Sequence, residues 1–492
     1  MPRPRQPLGP SRLPAQLCAA AALLAACSLG TTTTDRCSST AQCIEAFGPG
    51  YRCGDSGYCD RIPPIARCTA EGRDGLPESY PSDLLTQPGE YQGAILLGSL
   101  QDLSVPRQVA RERAARLAVQ HANHAKAEAR PFGLLMCNLA EDDELDGLDS
   151  KAASERIARH LVEDLGVAAL IGPSSSANTG AAFEAVADHD VVLISPSATA
   201  PKLSDADTDS PSDAQPGKLW RTAPPDQIQG DAIAADMNAR SLSRIVIIFS
   251  QDSYGQGLSD VVAESFEGQS TKLAFGNSDA RIQHTRDAVI DHDPDEVLFI
   301  SSSASEIASF LRLASEITEY DGRSIFLTDA ARSEALLEET ESLDRFAGRI
   351  RGTYPEPPDY SSTAAVTFRA RYEDEYGDDP TGQSYTAQTY DATWLAVYGS
   401  VYSRLHEGEV NGTGIARGIR KLATQGADRL DITETNFAKV VQAFGDDQGL
   451  DIDGASGPLD YDLRTEELSA PIVVWKVVQQ GTAFAFEDDA IF

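Results

Sequence analysis

Two consecutive segments limit what this chain can fold into. The first is Val167-Ala-Ala-Leu-Ile171-Gly-Pro-Ser174-Ser-Ser176-Ala-Asn-Thr179, and the second is Val191-Val-Leu-Ile-Ser195-Pro-Ser197-Ala-Thr199-Ala-Pro201. In each, a short β-branched and apolar run stops at proline and small hydroxyl residues. Such runs read as buried parallel strands. A helical stretch from Ala181 to Asp188 follows the first, opened by Ser and Thr in N-cap position. Free backbone N–H groups, the positive end of a helix dipole and serine hydroxyls then converge on the carboxyl edge of a sheet, where open α/β folds take their ligands. That convergence favours a small anion such as a carboxylate. Ordinary helix capping is the alternative reading of either junction. Two adjacent junctions, with no lysine in either, point to a ligand carboxylate.

From Tyr91 onward strands and helices alternate. Strands are expected over 93–100, 132–139, 244–249, 296–301 and 324–328, and helices over 106–127, 150–165, 229–240, 258–266 and 306–316. Strands separated by helices imply doubly wound parallel sheets. The alternation restarts after Arg221-Thr-Ala-Pro-Pro-Asp226, which suggests two similar lobes. The Asp-, Ser- and Pro-rich stretch 204–217 reads as a solvated insertion.

At 492 residues the chain can form two or three domains with sizeable cores. Its formal charge of −34, with no Lys/Arg-rich run after the leader, argues against nucleic acid or an anionic membrane surface as partner. Arg3, Arg5 and Arg12 precede a short apolar run, Leu17 to Ala26, that is too short to span a bilayer. The run ends in Leu24-Ala25-Ala26-Cys27, which resembles the lipobox of bacterial lipoproteins, so Cys27 is the expected lipidation site and lipid the only expected anchor. Plain secretion is the alternative. Ser28 after the cysteine resembles the outer-membrane sorting choice of Gram-negative lipoproteins.

Cys37, Cys43, Cys53 and Cys59 fall in a C-x5-C-x9-C-x5-C pattern within a Gly-rich stretch. So short a segment cannot bury a core, and an oxidising compartment makes it a two-disulfide knob with three possible connectivities. A metal site is the rival reading, although no histidine or C-x-x-C pair lies nearby. Cys68 and Cys137 remain to pair with each other.

Several motifs, in order, carry a family resemblance. They include Leu117-Ala-Val-x-x-Ala-Asn123, Ile171-Gly-Pro-x-x-Ser176-x-x-Thr179, Ile194-Ser-Pro-Ser-Ala-Thr199-x-Pro-x-Leu203 and Trp220-Arg-Thr-Ala-Pro-x-Asp226. Asp252-Ser-Tyr254-Gly-x-Gly, Leu327-Thr-Asp329, Tyr385-Thr-Ala-Gln-Thr-Tyr390-Asp-Ala and Gly457-Pro-Leu-Asp-Tyr-Asp462 continue the series. From about Tyr91 to its end the chain resembles type I periplasmic binding proteins, in particular the leucine/isoleucine/valine-binding branch. The resemblance implies an α/β clamshell of two lobes joined by crossings near Arg221, near Arg351 to Tyr354 and near Leu459 to Asp462. The expected division is a leader (1–26), tether (27–36), Cys-rich knob (37–60), linker (61–90), first lobe (91–220 and 351–460) and second lobe (221–350 and 461–492).

The resemblance also implies a site between the lobes. Ser176, Ser197, Ala198 and Thr199 match the positions that hold the ligand carboxylate, and Tyr254 matches a second-lobe tyrosine. Asp329 is the nearest match to the acidic residue that holds the ligand amine, and Tyr385 matches an aromatic of the side-chain pocket. The alternatives are a helix cap for Asp329 and a core position for Tyr385. Gln101-Asp102-Leu103-Ser104 and Ser302-Ser303-Ala304 depart from the family pattern and would make the pocket roomier or more polar. Catalytic motifs are missing from the sequence: there is no Gly-x-Ser-x-Gly elbow, Walker loop or His-Glu-x-x-His. Gly255-Gln-Gly257 reads as a turn. No cofactor, metal or enzymatic activity is expected. The expected function is that of an extracytoplasmic lipoprotein that binds an amino-acid-like molecule and delivers it to an ABC importer. The alternative is an outer-membrane lipoprotein acting through protein contacts, as a sensor or in the manner of peptidoglycan-synthase activators. Cys27→Ala should move the protein from the membrane to the soluble fraction; unchanged membrane association would overturn the lipobox reading.

Overall fold

The computed structural model describes residues 36–492 apart from 64, 69–78, 143–145, 209, 347, 356–360 and 482. Cys27, the leader and nearly all of the tether lie outside the described residues. Among the described residues no helix is long and apolar enough to cross a membrane.

The apolar runs form strands that sort into two large sheets. The N-terminal module contributes α1 (Thr40–Phe47), β1 (Tyr51–Cys53) and β2 (Cys59–Arg61). The first sheet then takes β3 (Ser79–Tyr80), β4 (Ile95–Gln101), β5 (Phe132–Asn138), β6 (Ala169–Ile171), β7 (Val192–Ser195) and β8 (Leu219–Arg221), in the order β3-β5-β4-β6-β7-β8. All its pairings are parallel except β3 with β5. The second sheet starts with β9 (Arg244–Ser250), β10 (Gln269–Phe275), β11 (Glu296–Ile300), β12 (Ser324–Leu327) and β13 (Ile350–Pro355). Short strands β14 (Arg429–Asp431), β15 (Asp451–Gly454), β16 (Gly457–Pro458), β17 (Tyr461–Asp462) and β18 (Glu467–Leu468) stand outside it. The hairpin β19 (Ile472–Gln480) and β20 (Ala483–Ile491) completes it, in the order β10-β9-β11-β12-β13-β19-β20. β19 pairs antiparallel with both β13 and β20, so each parallel sheet carries antiparallel strands at one edge.

The helices that matter below are α2 (Pro106–Ala125), α3 (Ser150–Arg159), α4 (Ser176–Ala185), α5 (Asp226–Ala239), α6 (Ser253–Ser265), α7 (Ser278–Ile290), α8 (Ala304–Glu316), α9 (Thr363–Tyr376) and α10 (Thr386–Glu407). Side-chain caps start several of them. Ser175 accepts from Asn178 N at α4, Asp252 from Gly255 N at α6 and Ser303 from Glu306 N at α8. These caps place α4 and α6 five residues earlier than apolar periodicity suggests. Gly255-Gln-Gly257 therefore lies in the first turns of α6, not in a free turn. A Cβ on Gly257 would lie 2.7 Å from Pro201 Cδ, so the second glycine serves close packing of the two lobes.

α10 is buried from Thr386 to Ser403. A helix that is buried on all sides must be wrapped by other elements. Here Trp394 and Tyr398 pack on Phe437, while Tyr390 meets His121 of α2 at 2.8 Å. Burial of each such aromatic contributes roughly 1.5–3 kcal/mol, and together they hold the returning segment against α2. The chain crosses between lobes after β8, after β13 and after β18. Leu459, Tyr461 and Leu468 all belong to the first lobe's core, so the last crossing falls at 469–471 rather than near 459–462.

The cysteines form Cys37–Cys53, Cys43–Cys59 and Cys68–Cys137. All four module thiols are thus consumed by disulfides, which leaves no thiolate for the rival metal site. The module is not a free knob. Ile44 inserts into the core beneath the first sheet, Gly93 N donates to Ile44 O at 3.0 Å and Arg52 pairs with Asp164. Nor is 61–90 a simple linker: β3 extends the first sheet, and the buried Arg67 guanidinium donates to Ala140 O at 2.8 Å and Asn138 O at 3.1 Å. The stretch 204–217 is likewise tied down, since Asp207 accepts from Leu219 N at 2.8 Å and Asp213 pairs with Arg420.

Peptide mapping of the unreduced protein should recover these three pairs and no others. Cys68→Ser with Cys137→Ser should cost about 2–5 kcal/mol of stability, because the bridge spans a sequence separation of 69 residues. An unchanged denaturation midpoint would show that β3 and Arg67 suffice to hold the segment.

Candidate functional site

The two sheets face each other across a cleft of about 420 Å³, built from the carboxyl ends of their strands. Ser174 and Ser175 follow β6, Ser197 follows β7, Ser302 follows β11, and Asp329 follows β12. Tyr385, at the start of α10, completes the wall.

Asp329 occupies the centre. Its Oδ1 accepts from Tyr254 OH at 2.6 Å and Gln229 Nε2 at 3.1 Å, and its Oδ2 accepts from Tyr385 OH at 2.8 Å. Tyr254 and Gln229 belong to the second lobe, whereas Tyr385 comes from the first, so one carboxylate is held from both sides. Burial, then the negative Asp329, pushes both tyrosine hydroxyls well above their usual range, which fixes them as donors. Asp226, fully buried at the start of α5, is pushed well above the carboxylate range by burial and then by Asp329, with the Thr199 hydroxyl opposing. Tyr385 sits at φ 65, a left-handed conformation that a bulky residue adopts only when its surroundings hold it there.

Arg111 does that holding. Its Nε donates to Ser384 O at 3.0 Å and its Nη2 to Ser384 Oγ at 3.3 Å, while the guanidinium lies 5.2 Å from the Tyr385 ring centre. Its Nη1 donates to Ser197 Oγ at 3.0 Å, and Ser197 in turn donates to Ser174 O at 2.9 Å. One turn earlier on α2, Arg107 reaches across the cleft to the carbonyls of Ser302 and Ala330 in the second lobe.

The residues expected from the sequence divide into three groups. Ser197, Asp329 and Tyr385 line the cleft. Tyr254 stands behind Asp329. Ser176, Ala198 and Thr199 are turned into the fold: Ser176 Oγ accepts from Thr199 N at 3.2 Å and Ala200 N at 3.1 Å, and Ala198 N donates to Ser195 Oγ at 3.1 Å. Three backbone donors of the second junction, Ala198 N, Thr199 N and Ala200 N, are thus satisfied by serine hydroxyls, and the cations facing the cleft are Arg107 and Arg111. Sequence reading missed both arginines and Gln229. The available signal was an i,i+4 arginine pair directly after the carboxyl edge of β4 in a strongly acidic chain. A second pocket, walled by Tyr354, Phe368, Pro380 and Ala387, shares Asp329, Ser384 and Tyr385 with this cleft.

Comparison with known proteins agrees with this fold. Residues 110–429 match the family described as receptor family ligand binding region. The chemotactic signal transduction system substrate-binding protein BasB of Halobacterium salinarum is 27% identical over 390 residues, 77% of this chain and 86% of that protein. The fold is shared with the leucine binding protein LivK of Thermotoga maritima (TM-score 0.60, 19% identity, 81% of this chain and 99% of that one). It is shared as well with an R. palustris solute binding protein in complex with 4-hydroxybenzoate (TM-score 0.62, 13% identity, 81% of this chain and 97% of that one).

Ser176→Ala removes the acceptor for two buried amides. It should lower stability by about 1–3 kcal/mol in the absence of any ligand, read by thermal or urea denaturation. A variant as stable as the parent would show that Ser176 does not brace the second junction.

Proposed function

The chain belongs to the receptor ligand-binding-region family, the type I periplasmic binding proteins, and from that premise we propose that it is a solute-binding lipoprotein that captures an amino-acid-like molecule between its lobes and delivers it to an ABC importer. One observation carries the reading. Within a single cleft, Arg111 and Ser197 of the first lobe face Asp329 of the second. A zwitterion placed between them would meet a guanidinium and hydroxyl with its carboxylate and a carboxylate with its ammonium. Because the two ends are met by different lobes, such a ligand would draw the lobes together, and the closed form would be the one an importer recognises. The relatives support the class: LivK is described as a leucine binding protein and BasB as a substrate-binding protein. The three disulfides suit an extracytoplasmic compartment, and Cys27 would supply the anchor, at the outer membrane in a Gram-negative host.

A second reading has one specific support, the chemotactic role in the description of BasB: occupancy would be reported to a signalling partner instead of a permease. Loss of ligand uptake on deletion of the gene favours import, whereas loss of a ligand response with uptake intact favours sensing.

Native mass spectrometry of gently purified protein should reveal a small co-purified ligand carrying an amine. Asp329→Asn should weaken binding of that ligand by about ten- to a hundred-fold in calorimetry, the equivalent of one charge-assisted hydrogen bond. A ligand without an amine, bound equally by parent and variant, would overturn the assignment.

A further inference from the structure

Arg107 and Arg111 stand in surroundings that repel positive charge. Arg111 is 4% exposed, and burial followed by the neighbouring Arg107 lowers its pKa to about 9. Arg107 is lowered as well, first by burial. The two are spaced i,i+4, so they share one helix face and repel each other. They also occupy the first turns of α2, the end of a helix whose dipole disfavours cations. Three costs therefore fall on the same two side chains.

The described residues offset those costs only in part: Asp329 and the Tyr385 hydroxyl favour the charged form of both arginines, and Arg111 lies over the Tyr385 ring. Among the described residues neither guanidinium is paired with a carboxylate: Arg111 donates to Ser384 O, Ser384 Oγ and Ser197 Oγ, and Arg107 to two main-chain carbonyls. The Nε of Arg107 is buried without a hydrogen-bond partner. The charged side chains lining the cleft are these two arginines and Asp329. Asp329 accepts from Tyr254, Gln229 and Tyr385, and the single charge it carries is the one the ligand ammonium would meet. The lining thus carries two positive charges against one negative. A neutral zwitterion would leave the surplus in place. A ligand with a second anionic group would remove it and would give the unpaired Nε an acceptor.

We propose that Arg107 and Arg111 form an anion subsite, and that the ligand is a net anionic, dicarboxylate-like molecule whose additional acidic group lies between the two guanidiniums. The inference deepens the amino-acid reading above and rests on it only for the ammonium end. Because Arg107 also touches Ser302 and Ala330 of the opposite lobe, an anion bound there would be held at the seam between lobes and would report closure.

The test uses the mature full-length protein in detergent and calorimetry with four probes: glutamate, glutamine, glutarate and leucine. Glutamate should bind about ten- to a hundred-fold more tightly than glutamine, the gain expected from charge-assisted hydrogen bonds to one additional carboxylate. Arg107→Gln should abolish that preference, read as the ratio of glutamate to glutamine affinity within the variant itself. Arg111→Lys, which keeps the charge but loses the fork that holds Ser384 and Ser197, is the second variant should Arg107→Gln fold poorly. Equal affinity for glutamate and glutamine, a preference that survives in both variants, or no binding of either dicarboxylate would overturn the anion subsite. Tight, arginine-dependent binding of glutarate equal to that of glutamate would uphold it while overturning the amino-acid reading.

Discussion

The Asp329 carboxylate is the point on which both lobes close. It stands at the carboxyl end of β12, where the chain leaves the sheet and the side chain can enter the cleft. Three donors converge on it, Tyr254 and Gln229 from its own lobe and Tyr385 from the other. A buried carboxylate without such donors would be costly, and with them it becomes a fixed negative charge in a low-dielectric place. The Tyr385–Asp329 bond crosses from lobe to lobe, and both residues line the polar cleft as well as a more apolar pocket. The left-handed backbone at Tyr385 is sustained by Arg111 on Ser384, so the position of the carboxylate depends on α2 of the opposite lobe.

The serine-rich junctions serve a different purpose from the one their composition suggests. Ser176, Ser195 and Ser197 bind backbone groups of neighbouring loops and so lock β6 and β7 into one rigid edge. Gly172 fits the same arrangement: at φ 86, a Cβ there would lie 2.6 Å from Leu100 O, so the loop after β6 can lie tightly over the end of β4 only with glycine at this position. A rigid edge is what a ligand site requires, because a hydrogen bond made to a pre-ordered group costs less entropy than one made to a loose loop. Positive charge is then supplied by side chains of α2, which reach over that edge into the cleft.

The N-terminal module illustrates how a segment too small for its own core gains one. Two disulfides fold it, and Ile44 of α1 completes it by entering the core of the first lobe beside Leu96, Leu161 and Val167. The Cys68–Cys137 bridge and the buried Arg67 fasten the segment that follows to β5 and the loop beyond it. The module is thus part of the first lobe's surface.

Much of this protein was legible in its sequence. Apolar runs of four to seven residues with helical stretches between them determined two α/β lobes, the family motifs identified the clamshell, and cysteine spacing determined a disulfide-stapled module. Ser197 and Asp329, named from the family motifs, stand just after β7 and β12, at strand ends that in a parallel sheet face the ligand side, whereas Tyr385 stands at the start of α10. Capping serines and aspartates set the true starts of α4 and α6, and apolar periodicity alone does not register a polar cap. That the module docks rather than hangs rests on Ile44 reaching a core made by residues far along the chain. The same holds for the site. A sequence records that Ser176 has a hydroxyl and that Arg111 has a charge, but a hydroxyl near several backbone amides binds whichever lies closest, and a charge acts on whatever the fold brings within reach. Only the tertiary structure decided that Ser176 would face inward to the backbone and that Arg107 and Arg111 would face the cleft, because hydrogen bonding and electrostatics act over distances in space that sequence separation does not encode.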